Sequence, residues 1–340
     1  LTYAALRQLS GRTRTELNRL GIGRNDRVGM VLPNGPEMAA AFVAIAAAAT
    51  TAPLNPAYRL DEFDFYLSDL QAKALVVLAG METPARAAAA ARGVPIIELE
   101  PAADAGAGSF TLRAAAPLQG PPRQGGVAEA DDIALVLHTS GTTSRPKIVP
   151  LAQANVCASA RHIGATLQLT PADICLNIMP LFHIHGLIGA VLSSLGAGAA
   201  VCCTPGFNAL KFFAWLDEVK PTWYTAVPTM HQAILARGAR NREIVARARL
   251  RLIRSSSSSM PPQVMTALED LFGAPVIEAY GMTEAAHQMA SNPLPPRARK
   301  PGFVGIAAGP EVAVMDDAGR LLPARRPAGD RAKGLWKRSR

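Results

Sequence analysis

The sequence lacks the marks of several large protein classes. Its four cysteines form no C-x-x-C pair and have no ligand spacing with histidine, so neither a disulfide scaffold nor a zinc ribbon is expected. The charge-free apolar run near the N-terminus, residues 38–49, is too short to span a bilayer. No signal peptide is evident. These absences favour a cytoplasmic protein with reduced thiols and no membrane span.

Several catalytic and nucleic-acid-binding patterns are missing as well. The chain has no G-x-S-x-G, no H-E-x-x-H and no G-x-G-x-x-G after a strand, which argues against serine hydrolases, zinc peptidases and dinucleotide enzymes. The formal charge of +9 comes mostly from residues 325–340, which hold seven Lys or Arg and one acid. The arginine-rich residues 237–251 have no interleaved aromatics, so they fit a solvated helix face and not a nucleic-acid groove.

What the sequence does contain is a regular alternation of short apolar runs with helical patterns. With 340 residues, 49% of them hydrophobic and 18% charged, the composition is ordinary for an α/β enzyme. Alternation of this kind predicts a parallel sheet covered on both faces by helices. In the second half we expect strands near residues 174–179, 199–203, 222–226, 250–254 and 275–279.

A hydroxyl-rich loop at residues 137–147 lies between an apolar run, residues 133–137, and a helical pattern, residues 151–167. Its backbone N–H groups and four hydroxyls can donate to phosphate oxygens, and Lys147 adds a mobile cation. Gly141 allows close approach of the backbone. We predict a phosphate cradle, although a plain surface loop is the alternative and the Walker pattern is absent. The four hydroxyls belong to Thr139, Ser140, Thr142 and Thr143.

Four candidate functional segments each follow a predicted strand directly. They are the phosphate loop and residues 182–186, 255–259 and 280–284. In open α/β sheets, ligands bind outside the carboxyl ends of the strands, so these segments are expected to share one edge.

Three ordered motifs give this sequence a family resemblance. The phosphate loop is followed by Pro-Leu-Phe-His-Ile-His-Gly at residues 180–186 and by Tyr-Gly-Met-Thr-Glu at residues 280–284. Together they resemble the adenylate-forming superfamily, which contains acyl-CoA synthetases, luciferases and adenylation domains of peptide synthetases. Residues 143–147, 223–229 and 291–295 are most similar to the oxalyl-CoA synthetase branch. The resemblance implies the large N-terminal domain of such an enzyme, with two mostly parallel sheets sandwiched with helices.

The resemblance also implies a set of nucleotide contacts for ATP and Mg²⁺. Glu284 would coordinate the magnesium ion, Thr283 would donate to the α-phosphate, and Tyr280, next to Gly281, would stack on adenine. A buried aromatic and a helix-terminal acid are the ordinary alternatives for Tyr280 and Glu284. The five serines at residues 255–259 stand where the family has a glycine-rich adenine loop, with Ser257 and Ser258 as nucleotide contacts; a solvated linker is the alternative.

The acyl side of the site is predicted from histidines. His183 matches the family histidine that lines the acyl pocket and moves aside as ATP and carboxylate meet. His185 and His287, with Ser256, would form a polar pocket that suits a short dicarboxylate better than a fatty acid. A zinc site formed by His183 and His185 is the competing interpretation, but no third ligand is evident.

Two features depart from the family. Most members have glycine where this chain has Ser144 and Ile148, and a β-branched Ile148 would be strained if that position required a positive φ. The family also continues into a mobile C-terminal domain that carries an adenylation lysine, which this chain lacks, so we expect a truncation or a reading-frame change. The expected divisions are an α/β subdomain (1–100), a flexible connection (101–130), the nucleotide- and acyl-binding subdomain (131–300), the start of a β-barrel (301–322) and a basic tail (323–340).

The sequence therefore predicts an ATP-dependent acyl-CoA synthetase that activates a small carboxylate, with oxalate favoured, and then forms a thioester with CoA. A medium-chain or aromatic carboxylate–CoA ligase is one alternative. A catalytically incomplete nucleotide-binding remnant is the alternative from another class. The expected partners are the carboxylate, ATP and CoA, without nucleic acid.

Overall fold

Two seven-stranded sheets organise the chain in this computed structural model, which describes residues 1–114, 120–139 and 146–322. The first sheet contains β1 (Arg27–Val31), β2 (Thr50–Pro53), β3 (Ala74–Leu78), β4 (Ile96–Pro101), β5 (Phe110–Ala114), β6 (Ile133–Thr139) and β7 (Lys147–Ala152). The second contains β8 (Ile174–Asn177), β9 (Ala200–Cys203), β10 (Trp223–Ala226), β11 (Leu252–Ser255), β12 (Val276–Met282), β13 (His287–Ser291) and β14 (Ile306–Ala307).

Helices connect the strands and cover the sheets. The ten α-helices of the described residues are α1 (Tyr3–Arg19), α2 (Pro36–Ala46), α3 (Leu60–Leu70), α4 (Pro84–Ala91), α5 (Gln153–Thr166), α6 (Ser193–Gly196), α7 (Phe212–Val219), α8 (Pro228–Gly238), α9 (Arg242–Arg247) and α10 (Pro262–Phe272). Residues His185–Leu192 form a π-helical segment that leads into α6. Capping residues determine where two of the helices begin: Thr2 and Thr83 cap the N-termini of α1 and α4 through their hydroxyls, and Pro84 is the first residue of α4.

Parallel pairing dominates both sheets. In the first sheet the strand order is β5-β4-β3-β1-β2-β6-β7, and only the edge strands β5 and β7 run antiparallel. In the second sheet the order is β14-β13-β12-β11-β10-β8-β9, and β8 to β12 are mutually parallel. The predicted α/β fold is confirmed, because its nearly continuous apolar strands are buried on both faces.

The two sheets share a hydrophobic core. One buried cluster contains Met30 of the first sheet and both Trp223 and Leu252 of the second. Each large apolar side chain buried in this way contributes about 1.5–3 kcal/mol relative to an exposed one. A polar contact also joins the chain after β1 of the first sheet to the chain after β8 of the second: the Asn34 side chain accepts a hydrogen bond from the Leu181 backbone N–H at 2.9 Å.

The structure differs from the sequence-based divisions at two places. Residues 101–130, expected to be a flexible connection, contribute the edge strand β5, whose alternating buried and exposed residues are a period-2 signal. Strands β6 and β7, grouped by sequence with the second subdomain, complete the first sheet. After residue 302 the described chain holds β14 and an isolated bridge between Met315 and Leu321. The proposed boundaries themselves stay predictions.

Ile148 is not strained. It lies in β7 opposite His138 and does not have a positive φ, so the backbone places no demand for glycine there. Ser144, the other departure from the family pattern, and the tail at residues 323–340 lie outside the described residues. Within residues 1–114, 120–139 and 146–322, no helix is both long and apolar enough to cross a membrane.

Candidate functional site

The carboxyl ends of the parallel strands in the second sheet meet at one edge. Asn177 of β8, Thr225 of β10 and Arg254 of β11 are in register across neighbouring strands. His185 follows β8, and Ser257 follows β11. The antiparallel strand β13 returns along β12 and begins with His287 at the same edge. Chain segments far apart in sequence are thereby brought together.

A buried arginine lies at the centre of this edge. The Nη1 group of Arg254 is 3.3 Å from His185 Nε2 and 3.4 Å from Thr225 Oγ1. Its Nη2 group is 3.2 Å from His287 Nε2 and donates to Gln288 Oε1 at 3.4 Å. All five side chains are buried, and the two imidazole rings are 5.1 Å apart between centroids. We call these five residues the arginine–histidine cluster.

The cluster reaches the surface through Ser257. The Nδ1 atom of His185 is 3.0 Å from Ser257 Oγ, and its Nε2 atom is 2.6 Å from Thr225 Oγ1. Ser257 is exposed and has a φ of +73°, a left-handed conformation that non-glycine residues seldom adopt. Such strained positions concentrate at binding sites, where the surrounding structure holds them.

Charge in the cluster is not balanced. Burial, with the neighbouring positive charge of Arg254, holds the pKa of His185 and His287 well below the usual value, so both are neutral at pH 7. Burial lowers the pKa of Arg254 to about 10, which leaves the guanidinium protonated. Among the described residues no carboxylate contacts it, and its Nε atom is buried without a partner.

The nearest carboxyl group in strand register cannot balance this charge. Glu278 of β12 is the register partner of Ser255, whereas Arg254 pairs with Ile277. Because successive side chains in a strand point to opposite faces, Glu278 and Arg254 lie on opposite sides of the sheet. Glu278 instead accepts a hydrogen bond from the Met260 N–H at 2.9 Å, and burial raises its pKa.

Small residues allow the segments to approach. A Cβ atom at Gly189 would lie 2.8 Å from His287 Nε2, so the π-helical segment can pack against the two rings only with glycine there. A Cβ atom at Gly281 would lie 1.6 Å from the His287 carbonyl oxygen. The turn into β13 is also unusual, since Ala286 and His287 both have positive φ, at 52° and 97°. Bulkier residues at these glycines would displace His287.

The predicted nucleotide contacts lie at the surface beside this cluster. Tyr280 is 47% exposed, which rules out the buried-aromatic alternative. Thr283 and Glu284 form a short 3₁₀ turn after β12; Thr283 is half-buried and Glu284 is exposed. Glu284 makes no ion pair within the described part of the chain. Carboxylate and phosphate oxygens are the ligands that Mg²⁺ generally prefers.

The phosphate loop is described only at its ends. Thr139 is the last residue of β6, and it is in register with Lys147, the exposed first residue of β7. The remaining predicted contacts, Ser140, Gly141, Thr142 and Thr143, lie outside the described residues. The antiparallel β6–β7 pair therefore frames both ends of the loop.

Not every predicted site residue belongs to the cluster. His183 is exposed, and its Nδ1 atom accepts a hydrogen bond from the His185 N–H at 3.2 Å. Ser258 is exposed, whereas Ser256 is buried and its hydroxyl has no partner among the described residues. The zinc alternative gains no support, because the described residues contain no group of three possible metal ligands.

Sequence reasoning missed the residues at the centre of the cluster. Arg254, Thr225 and Gln288 received no role, although each contacts a predicted histidine or the arginine itself. One signal was available: a single arginine interrupts the apolar strand Leu252–Ser255 just before its end. A buried charge in a parallel strand is rare enough to indicate function.

Comparisons with known proteins show which proteins this chain is similar to. A family model described as AMP-binding enzyme matches residues 1–330. The chain is 44% identical over 326 residues to the oxalate–CoA ligase of Arabidopsis thaliana, covering 94% of this chain and 63% of that protein. It is 39% identical over 323 residues to the oxalate–CoA ligase of Saccharomyces cerevisiae, covering 88% and 58%. ATP-bound MatB from Rhodopseudomonas palustris is structurally similar, with a TM-score of 0.78, 28% identity and coverage of 94% and 62%. The chain thus spans about three fifths of the length of these proteins.

Proposed function

Since the chain belongs to the AMP-binding enzyme family, we propose that it acts in the ATP-dependent activation of a short dicarboxylic acid, oxalate above all, for transfer to CoA. Two relatives with 44% and 39% identity carry the name oxalate–CoA ligase. Their similarity supports the reaction class, and the site supports the choice of acid. A cytoplasmic location remains a prediction from the four free cysteines.

The observation that carries the choice of acid is the unbalanced charge of the arginine–histidine cluster. A buried guanidinium without a carboxylate costs several kcal/mol of desolvation unless an anion compensates it. A dicarboxylate can offer one carboxylate to the protein while the other reacts. A medium-chain or aromatic acid would bring apolar surface to buried donors and leave them unpaired. The cluster therefore favours a small doubly charged acid.

We assign the nucleotide side to the exposed segments beside the cluster. Thr139, Lys147 and the loop between them would hold the phosphates of ATP, and the ring of Tyr280 would stack on adenine. Thr283 would donate to the α-phosphate, and Glu284 would hold Mg²⁺. When bound, Mg²⁺ supplies charge neutralisation at the phosphates. His183 would line the passage between the nucleotide and the acid.

The proposed chemistry has two steps. In the first, a carboxylate oxygen forms a bond to the α-phosphorus and the bond to pyrophosphate breaks, which gives an acyl-adenylate. In the second, the CoA thiolate forms a bond to the acyl carbon and AMP leaves. The protein's contribution to the first step is to position two anions in line and to offset their repulsion with donors and cations.

Carboxylate-dependent exchange of labelled pyrophosphate into ATP tests this function. The assay compares oxalate, malonate, octanoate and benzoate, on this chain and on the chain fused to the remaining part of the Arabidopsis relative. We expect exchange with oxalate, weaker exchange with malonate and none with the apolar acids. Glu284→Gln is the matched control that should abolish exchange while the chain stays folded.

Two results would contradict the proposal in different ways. Exchange with octanoate or benzoate and not with oxalate would show a ligase for apolar acids. Binding of ATP without exchange for any acid, in both the chain and the fusion, would show a nucleotide-binding remnant.

A further inference from the structure

The hydrogen-bond donors of Arg254 constrain the protonation of its neighbours. A guanidinium group has five N–H donors and no acceptor, so any atom that it bonds must accept. Its Nη1 and Nη2 groups are 3.3 Å from His185 Nε2 and 3.2 Å from His287 Nε2. As hydrogen bonds donated by the guanidinium, these two contacts require both Nε2 atoms to be unprotonated. A neutral imidazole carries one proton, so each ring holds it on Nδ1.

This tautomer sets the direction of the hydrogen bonds that lead outwards. The Nδ1–H of His185 donates to Ser257 Oγ at 3.0 Å, so the hydroxyl proton of Ser257 is available to another acceptor. Thr225 Oγ1 accepts from Arg254 Nη1 at 3.4 Å and is 2.6 Å from His185 Nε2; in the Nδ1–H tautomer its hydroxyl donates to Nε2 and shares that single lone pair with Arg254. Thr225 thus supports the same tautomer as Arg254.

The orientation of the Gln288 amide, which also accepts a hydrogen bond from the guanidinium, is fixed as well. The Gln288 amide donates to Thr166 Oγ1 at 3.1 Å and to the Ala308 carbonyl at 3.2 Å. Its Oε1 atom therefore faces Arg254 as an acceptor. Within the described residues, every protein group that accepts a hydrogen bond from the Arg254 side chain is neutral.

In the arginine–histidine cluster and at the adjoining Ser257, the polar hydrogens that have no acceptor among the described residues belong to three groups. They are the Ser257 hydroxyl, the Nδ1–H of His287, which has no partner among the described residues, and the buried Nε–H of Arg254. An ionised carboxylate has only acceptors, so a dicarboxylate is complementary to this set. A ligand that brings its own donors is not.

We propose that Arg254 is a positioning residue of the acid pocket, which holds His185 and His287 as Nδ1–H tautomers and supplies the positive charge that a dicarboxylate compensates. This inference rests on the proposed function for the identity of the acid, but the tautomers can be observed without it. Arg254 orients the two histidines directly, and it orients Ser257 through His185.

Nitrogen-15 NMR of the whole 340-residue chain, labelled at its six histidines, tests the proposal directly. Long-range correlations of the imidazole rings distinguish the two neutral tautomers, and conservative single replacements of the other histidines assign the signals. We expect both His185 and His287 as Nδ1–H in the unmodified chain. An Nε2–H tautomer at either residue overturns the proposal, whatever the variants do.

Variants of Arg254 and Arg251 distinguish a specific effect on the histidine tautomers from a general loss of folding. In Arg254→Met, we expect at least one of the two histidines to change its tautomer; in Arg254→Lys, which keeps the charge but has one terminal nitrogen, we expect one ring to stay fixed. Arg251→Met is the matched control, because Arg251 pairs with Asp173 and touches neither histidine. Unchanged tautomers in a folded Arg254→Met chain overturn the proposal.

Oxalate serves as the probe for the acid. Its addition should shift the Nδ1–H signals of both histidines in the unmodified chain, while propionate should not. Nδ1–H tautomers without any response to oxalate or malonate would contradict the proposed acid and the charge-compensating part of the inference, leaving the tautomer assignment intact. A response to oxalate with Nε2–H tautomers would contradict the role of Arg254 and leave the proposed function standing.

Discussion

Two arginines three residues apart, at the opposite ends of β11, have opposite surroundings. Arg251, just before the strand, forms two hydrogen bonds with Asp173, at 3.0 and 3.1 Å. Asp173 also accepts from Thr222 Oγ1 at 2.7 Å, so charge and hydrogen bonds are satisfied. Arg254, near the end of the strand, is fully buried and contacts only neutral groups among the described residues.

The two ends of the sheet differ in whether the described chain itself supplies the counter-ion of the arginine there. At the amino end, an arginine and its carboxylate are both present in the chain, and the pair joins β8, β10 and β11. At the carboxyl end the counter-ion is missing from the described protein, as expected where a ligand supplies it.

Removing the charge of Arg254 should give the largest effect, on ligand affinity. We expect Arg254→Met to weaken oxalate binding on the order of 1,000-fold, because the acid then enters a buried site without its cation. The free energy of unfolding should stay within about 1 kcal/mol, since an unpaired buried charge costs desolvation and an apolar isostere does not. Isothermal titration with oxalate and urea unfolding measure the two quantities. A large loss of stability with intact affinity would reverse the assignment.

Acidification should lower the free energy of unfolding in two pH ranges, an upper one in which the buried histidines become protonated and a lower one in which Asp173 does. His231 is a buried residue of α8, and its Nδ1 atom is 3.2 Å from the Tyr224 hydroxyl. Burial lowers the pKa of His231 to about 4 from 6.5, and the pKa values of His185 and His287 are also depressed. Between pH 6.5 and 4 the unfolded chain therefore binds protons that the folded chain does not, and stability is lost as the pH falls; His231 alone accounts for about 3 kcal/mol.

The partner of Arg251 responds in a lower pH range. Arg251 and Thr222 hold the pKa of Asp173 below 3.8 against the opposing effect of burial, so its stabilisation is complete above that value and is lost as the pH falls below it. Urea unfolding from pH 7 to 3 should show both phases. His231→Gln should reduce the loss in the upper range, and Arg251→Met should reduce only the loss below pH 3.8. A single loss confined to pH values below 3.8 would contradict the buried neutral histidines.

Breaking the structural pair should affect stability and not binding. We expect Arg251→Met to lower the free energy of unfolding by about 2 kcal/mol, because it leaves buried Asp173 without its cation. The value is below that of a fully buried pair, since the Arg251 side chain is 36% exposed and partly screened by water. Urea unfolding measures the loss, and oxalate affinity should be unchanged. The double variant Arg251→Met/Asp173→Leu should recover most of the loss; if it does not, the pair is not the cause.

A single hydroxyl should give the smallest effect. Ser257→Ala removes one donor at the mouth of the arginine–histidine cluster, and we expect about tenfold weaker binding of oxalate. Ser258→Ala is the control, because its exposed side chain has no hydrogen bond among the described residues. Equal effects of the two replacements in the titration would mean that the loop, and not the Ser257 hydroxyl, matters for binding.

Most of the second sheet could be predicted from the sequence because buried parallel strands leave unbroken apolar runs. The strands predicted near residues 174–179, 222–226 and 275–279 appear as β8, β10 and β12. Edge strands were harder to predict: in β5 only Phe110 is fully buried, and the exposed Thr111 and Arg113 interrupt the apolar run. Tertiary pairing decides such elements, and local pattern does not.

The site was predicted in part for a related reason. The motifs placed His185, Ser257 and His287 near one edge, because sequence position relative to strand ends carries that information. They did not show that an arginine joins these residues, since the balance of a buried charge depends on which faces of neighbouring strands meet. Arg254 and Glu278 are close in strand register yet point to opposite faces. The opposite orientation of the two side chains can be derived only once the register between β11 and β12 is known.

The tight return from β12 to β13 has a consequence for redesign. Tyr280, Glu284 and His287 belong to one antiparallel hairpin, in which the strands approach so closely at Gly281 that a Cβ atom there would clash with the His287 carbonyl oxygen. A segment transplanted to alter acid preference would carry the proposed ATP contacts with it, so the two preferences cannot be exchanged independently there. Selectivity is better tuned from β11, where Arg254 and Ser257 belong to a separate stretch of chain. A redesign of acid preference should therefore replace the residues at the end of β11 and leave the hairpin that carries the Tyr-Gly-Met-Thr-Glu motif unchanged.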